Sequence, residues 1–144
     1  MEYLHAACAS IAIVLGAFQI ARRKGDRPHR LLGRAYVGAM LLTALSSFFL
    51  TSMTGGFSFL HLLSVWTLIT LAANVRYVRT GNMAGHVNAM VYLYGGLLTA
   101  GLFAADRHAL DLPIPALVGM LVILWTVVVW IAEKARRTIV RQTA

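Results

Sequence analysis

Four histidines stand at regular intervals in this chain of 144 residues. His5 and His29 are 24 residues apart, and His61 and His86 are 25 residues apart. A neutral imidazole gives one ring nitrogen to a metal while a hydrogen bond holds the other, so two facing histidines suit the axial positions of a haem iron. The spacing predicts two such pairs, His5 with His61 and His29 with His86.

The helices that must position these histidines are long and apolar. The chain is 59% hydrophobic and only 12% charged, which gives more apolar surface than a soluble domain of this size can bury. Crossing a hydrocarbon core takes roughly 20 apolar residues of helix. The runs of that length are about 3–21, 31–53, 59–78, 86–105 and 114–132. We therefore predict an all-α, polytopic transmembrane helix bundle of five helices, folded as a single domain over residues 1–144.

The first four helices carry an internal repeat. Glycine follows the first histidine of each half after 20 residues, at Gly25 and Gly81, and the tetrapeptide LLTA follows the second histidine in both halves. This pattern predicts two parallel hairpin repeats, related by an axis along the membrane normal, that form a four-helix core. The predicted boundaries are 1–53 for repeat one, 59–105 for repeat two and 114–134 for an extra, peripheral helix.

The chain has 13 lysines and arginines, and 12 of them fall in three groups. Arg107 is the one basic residue outside these groups. The groups are Arg22, Arg23, Lys24, Arg27, Arg30 and Arg34; Arg76 and Arg79; and Lys134, Arg136, Arg137 and Arg141. Five crossings put all three groups on one side, which the positive-inside rule makes cytoplasmic. The prediction is a bacterial inner-membrane protein with a periplasmic N-terminus and a cytoplasmic C-terminus. The net charge of +8 is then explained by basic residues at the lipid bilayer surface and does not indicate a nucleic-acid partner.

The repeat symmetry places the two histidine pairs at levels on the order of 25 Å apart along the membrane normal. Two haem b groups at these levels would carry electrons across the bilayer, as a component of a transmembrane oxidoreductase. The basic residues Arg30, Arg34, Arg76 and Arg79 are predicted to pair with haem propionates or with lipid phosphates. The glycines at 33, 38, 95, 96 and 101 would either let a flat ring approach the backbone or serve helix packing.

Two other classes of function stay open. His5 and Cys8 share a helix face, as do His86 and Met90, and such soft ligands suit a copper ion, while the histidines alone suit zinc. The other alternative is a non-catalytic accessory or assembly subunit that binds no cofactor. The partners considered are a quinone, a redox partner, a second copy of the chain and a larger membrane complex.

The acidic residues limit the chemistry further. All five lie at or beyond the predicted helix ends, at Glu2, Asp26, Asp106, Asp111 and Glu133. A carboxylate in the middle of the membrane is therefore not expected, which argues against a proton-relay transporter or an aspartyl intramembrane protease. The fifth histidine, His108, is expected in a solvated outer loop.

Two segments carry a family resemblance, RRKGDRPHRLLGRAYV at 22–37 and RTGNMAGHVNAM at 79–90. Together with His5 near the outer end of the first helix, they resemble an uncharacterised prokaryotic family of predicted membrane proteins, a domain of unknown function. The resemblance covers about residues 4–105, its most specific element is HRxLGRxY, and it implies no activity. The histidine layout is similar in architecture to the di-haem membrane cytochromes b, which include ferric reductases and ascorbate-reducible cytochromes.

The topology is open to a direct test. Because 12 of the 13 basic residues fall on one side, a reporter fused after Ala144 is expected in the cytoplasm and one inserted near Asp111 in the periplasm. The measurement is the activity of a reporter that works in one compartment only. Finding both reporters on the same side would show that the fifth run does not cross.

Overall fold

The computed structural model describes residues 2–22, 24–50, 59–106, 110 and 112–143. Over these residues the chain forms five α-helices and no strand, which confirms the predicted all-α, five-helix fold. The helices are α1 (Glu2–Ala21), α2 (Arg27–Ser47), α3 (Phe59–Arg79), α4 (Met83–Ala105) and α5 (Ile114–Thr143). The described part of the chain does not include the predicted end of the second run at 51–53. It also does not include the side chains of Arg23, Arg107, His108, Asp111, Arg136 and Arg141.

Three of these helices are both long enough and apolar enough to cross a membrane. They are Glu2–Ala21, Met83–Ala105 and the part of α5 from Ile114 to Ala135. The helices α2 and α3 have 21 residues each, and arginines occupy one end of both. The crossing of the membrane by α2 and α3 therefore stays a prediction from the sequence.

The chain divides into two compact units, residues 1–72 and 73–144. In the first unit, α1 packs along α2. Small side chains line the buried face of α1, where Ala12 is 0% exposed, and the phenol ring of Tyr36 on α2 is 1% exposed. The buried residues of α1 recur every three or four positions and those of α2 share one helix face, so each helix buries one stripe. Small residues let two membrane helices approach closely, so dispersion contacts can hold the pair.

The turn between α1 and α2 is defined by its own side chains. Lys24 Nζ donates to the carbonyl oxygens of Ile20 and Arg22, which the end of α1 leaves unpaired. Gly25 follows with φ 88°, a left-handed conformation that glycine adopts without steric cost. Asp26 then caps α2, and a proline stands in the first turn of α2 where its missing N–H costs no hydrogen bond.

In the second unit, α5 packs on α4 through a small apolar cluster of Val91, Val128 and Ala132. Gly95 of α4 allows this approach, because a Cβ added there would lie 2.9 Å from Cγ2 of Val128. Tyr92 and Trp125 stack beside the cluster, with ring centroids 6.3 Å apart.

The fifth helix corrects one expectation from the sequence. Glu133 was expected at or beyond a helix end, but α5 continues to Thr143 and includes it. The carboxylate accepts a hydrogen bond from Arg137 Nε at 2.8 Å, one turn further along the helix. This oppositely charged pair at i, i+4 stabilises the helix beyond its apolar run, where hydropathy gives no signal.

Threonine hydroxyl groups described inside the helices are satisfied locally. Threonine side chains donate to the carbonyl oxygen four residues earlier, as Thr43 does to Ala39 at 2.8 Å and Thr99 does to Gly95 at 2.9 Å. The same bond forms at Thr67, Thr70 and Thr126. A threonine therefore needs no partner on another helix, whereas the longer polar side chains do.

Adjacent glycines on α4 provide a matched test of the α4–α5 contact. Gly95→Ala is expected to destabilise the protein by about 1–3 kcal/mol, because the new methyl group overpacks against Val128. Gly96→Ala should be neutral or stabilising, because a Cβ at Gly96 would have no heavy atom within 4 Å and alanine favours the helix. Thermal unfolding of the purified protein in detergent measures both. Equal losses in the two variants would contradict the packing described.

Candidate histidine sites

His5 is held by the end of α2. Its Nδ1 lies 3.1 Å from the carbonyl oxygen of Thr43 and 3.0 Å from Ser46 Oγ. Ser46 Oγ itself donates to the same carbonyl at 3.1 Å, so both oxygens accept a hydrogen bond from Nδ1–H. This pattern assigns the proton of a neutral imidazole to Nδ1 and leaves the lone pair on Nε2.

His61 on α3 lies against the same turn of α2. It is 3% exposed, and its ring centroid is 5.9 Å from that of Phe48 at an interplanar angle of 48°. One turn after His61, Ser64 Oγ accepts a hydrogen bond from Ser47 Oγ at 2.6 Å. The consecutive residues 46–48 therefore contact both His5 on α1 and the first turns of α3, which brings the two predicted partners to one end of this unit.

His29 lies in the first turn of α2 and is held through its backbone. Its N–H donates to Asp26 Oδ1 at 2.7 Å, and its carbonyl oxygen accepts from Gln19 Nε2 of α1 at 2.9 Å. The imidazole Nδ1 is buried and has no hydrogen-bond partner among the described residues. The backbone position of His29 is therefore fixed, while its tautomer is not.

His86 lies in the first turns of α4, and a side chain of α3 orients it. Nδ1 of His86 is 2.8 Å from Oδ1 of Asn74, and Asn74 is only 3% exposed. An amide oxygen accepts only, so this bond also places the imidazole proton on Nδ1 and the lone pair on Nε2. His86 belongs to the second unit and His29 to the first, and their pairing stays a prediction.

The two helix–turn–helix connections are built alike. Gly25 and Gly81 both have positive φ, 88° and 71°. The next residue in each case caps the following helix, with Asp26 accepting from His29 N–H and Asn82 accepting from Gly85 N–H. The second histidine of each predicted repeat then lies in the first turns of that helix.

Sequence reasoning missed two residues of these sites, Gln19 and Asn74. Each is a buried amide near the end of the first helix of its predicted repeat, and each bonds the histidine that begins the next helix. The available signal was the residue type, because a buried amide in an apolar helix needs a partner on another element.

The predicted arginines and glycines divide by environment. Arg30, Arg34 and Arg76 are exposed, which leaves their predicted pairing with anionic groups as a prediction. Gly33 and Gly95 are packing glycines, since a Cβ at Gly33 would lie 2.9 Å from Gln19 Nε2 and one at Gly95 would meet Val128. At Gly38 and Gly96 an added Cβ would meet no heavy atom within 4 Å, so neither is required by packing. No group of three or more metal-ligating side chains of the His, Cys, Asp and Glu types occurs in the described part of the chain.

The fold and its apolar spans define a multi-helix membrane protein. The chain belongs to the DUF2306 family, described as predicted membrane protein, which matches residues 2–133. This confirms the family resemblance and extends it into the fifth helix. Comparisons with curated proteins and with solved structures give no significant match.

The Asp26 cap predicts a pH dependence at the His29 site. The hydrogen bond from His29 N–H, and after it Arg22, hold the pKa of Asp26 below its usual value. A depressed pKa stabilises the fold above the pKa of the unfolded chain, and that stability is lost as the pH falls through the folded value. Between about pH 6 and pH 3, the melting temperature of the parent should fall more than that of Asp26→Asn, which keeps a capping oxygen without the charge.

Asp26→Ala is the matched control, because it removes both the capping oxygen and the charge. Its melting temperature should lie below that of Asp26→Asn throughout the same pH range. An Asp26→Asn protein with the full acid sensitivity of the parent would show that another group carries it.

Proposed function

We propose that this chain is a membrane-embedded, b-type cytochrome-like electron-transfer protein with histidine-ligated haem. The observation that carries the proposal is the hydrogen bonding of His5 and His86, whose Nδ1 atoms face oxygen acceptors on neighbouring helices. Metal-binding histidines in proteins donate their second ring N–H to such acceptors, which fixes the ring and raises its basicity. Both imidazoles are thereby prepared to ligate through Nε2.

His5 and His61 are the proposed ligands of the first site. The turn at 46–48 contacts both, so an ion or an iron between them would have protein ligands from α1 and α3. A haem held by these two imidazoles would supply one-electron transfer and no oxygen chemistry.

His29 and His86 are the proposed ligands of the second site. Asn74 orients His86, and Gln19 with Asp26 fixes the backbone of His29. The exposed guanidinium groups of Arg30, Arg34 and Arg76 would pair with the propionates of this haem. The two haems would then pass electrons between partners at opposite faces of the bacterial inner membrane. In this proposal the N-terminus lies outside, and the partner is a quinone or a redox protein.

A copper site is the second candidate function, and one observation favours it. Cys8 is buried on α1, three residues from His5 and on the same helix face. A thiolate and an imidazole are ligands that copper prefers. An accessory subunit without a cofactor would use the same histidines for helix packing alone.

The visible spectrum of the full-length protein, purified in detergent after expression with added haem precursor, tests the proposal. We expect a sharp reduced-minus-oxidised haem b spectrum, and His61→Ala or His86→Ala should each remove roughly half of it, because each breaks one site with two axial ligands. His108→Ala, outside both proposed sites, should leave the spectrum unchanged.

Two results would contradict the haem proposal. One is a folded protein that stays colourless when haem is supplied, and the other is a spectrum that both alanine variants retain in full. Elemental analysis of a colourless protein then separates the copper site from the accessory subunit. If copper is found, Cys8→Ser should lower its content, because the variant removes the proposed thiolate ligand.

A further inference from the structure

A polar cleft lies between α4 and α5 in the second unit. Its volume is about 210 Å³, and it is lined by Asn88, Tyr92, Val129, Ala132 and Glu133. This is far more than the roughly 10–15 Å³ that a single buried water needs. Both helices are apolar enough to span a membrane, and polar groups in such helices are costly unless they have partners. The cleft is therefore a candidate for a ligand that satisfies its polar lining.

The charges of the cleft indicate a neutral ligand. Glu133 is the acidic residue in the lining, and its Oε1 already accepts a hydrogen bond from Arg137 Nε at 2.8 Å. A cation would therefore gain little from this carboxylate. The Asn88 amide and the Tyr92 hydroxyl both donate and accept hydrogen bonds. The lining thus suits an uncharged head group that carries hydrogen-bond acceptors and donors.

The surroundings of the cleft indicate that the ligand arrives from the lipid. Tyr92 and Val129 are 43% and 50% exposed, so the cleft opens on the outer surface of two apolar helices. Tyr92 stacks on Trp125, which stands one helical turn before Val129 and so extends an aromatic surface from the cleft along the apolar part of α5. An apolar tail attached to the bound head group can lie along this surface.

We propose that this cleft binds the head group of a membrane quinone, a choice that rests on the electron transfer proposed above. Asn88 Nδ2 and the Tyr92 hydroxyl donate to the quinone carbonyl oxygens, and the Glu133 carboxylate accepts from a hydroxyl of the quinol. Asn88 follows His86 by two residues on α4, about 3 Å along the helix axis, so the quinone lies at the level of the second histidine site. Phospholipid head groups carry phosphate charges, which the Glu133 carboxylate in the lining would repel.

Equilibrium binding to the full chain in lipid nanodiscs tests this proposal. The probe is a benzoquinone with a single isoprenoid unit, measured by dialysis. Saturable binding is expected, and Tyr92→Phe or Asn88→Leu should each weaken it by about three- to tenfold, the effect of losing one hydrogen bond. Tyr94→Phe is the matched control, because Tyr94 lies on the same helix but does not line the cleft. It should bind the probe like the parent.

Non-saturable uptake of the probe, or equal affinity of Tyr92→Phe and Tyr94→Phe, would overturn the proposal. The result separates from that of the haem test. A haem spectrum without saturable quinone binding would refute the quinone site and leave the electron-transfer proposal standing. Quinone binding that depends on Tyr92, in a protein without haem, would support the quinone site and refute the electron-transfer proposal.

Discussion

The apolar solvent around the helices is the constraint on which the other features of this protein depend. A polar side chain in a membrane helix finds no water, so it must bond within its own helix or reach a neighbouring one. The threonines take the first course and donate to the carbonyl four residues earlier. His5, Gln19 and the pair of Asn74 with His86 take the second. The polar contacts between helices are therefore concentrated where the histidines lie.

The hydrogen bonds between helices determine the tautomers of His5 and His86. A carbonyl oxygen or an amide oxygen can only accept, so it selects the Nδ1–H tautomer of the imidazole that faces it. The contact that satisfies a buried polar group thus also leaves the lone pair on Nε2, the atom that would bind iron in the proposed function. In both predicted repeats an amide side chain near the end of one helix bonds the histidine that begins the next, and a left-handed glycine before an Asx cap makes the turn between them. Packing and site are built from the same few residues.

The sequence predicted the elements better than the contacts. Helix number and class followed from the length of the apolar runs. The extension of α5 to Thr143 was missed, because the Glu133–Arg137 pair that supports it adds no hydropathy. Gln19 and Asn74 were missed because helical spacing alone does not show which neighbour a side chain faces. The pairing of His5 with His61 was predicted from the repeat. Their contacts with residues 43–48 at the end of α2 were not predicted, since they depend on how α2 ends.

The oxidation and spin state of bound iron tests the central claim most directly, which is that the histidines act in pairs. Electron paramagnetic resonance of the oxidised, haem-loaded protein should show low-spin ferric haem that accounts for all of the haem present, as two imidazole ligands require. Asn74→Leu should shift this signal for one site only, because it removes the acceptor that orients His86. A high-spin signal in the parent protein would show an iron with one axial ligand and would contradict the paired arrangement.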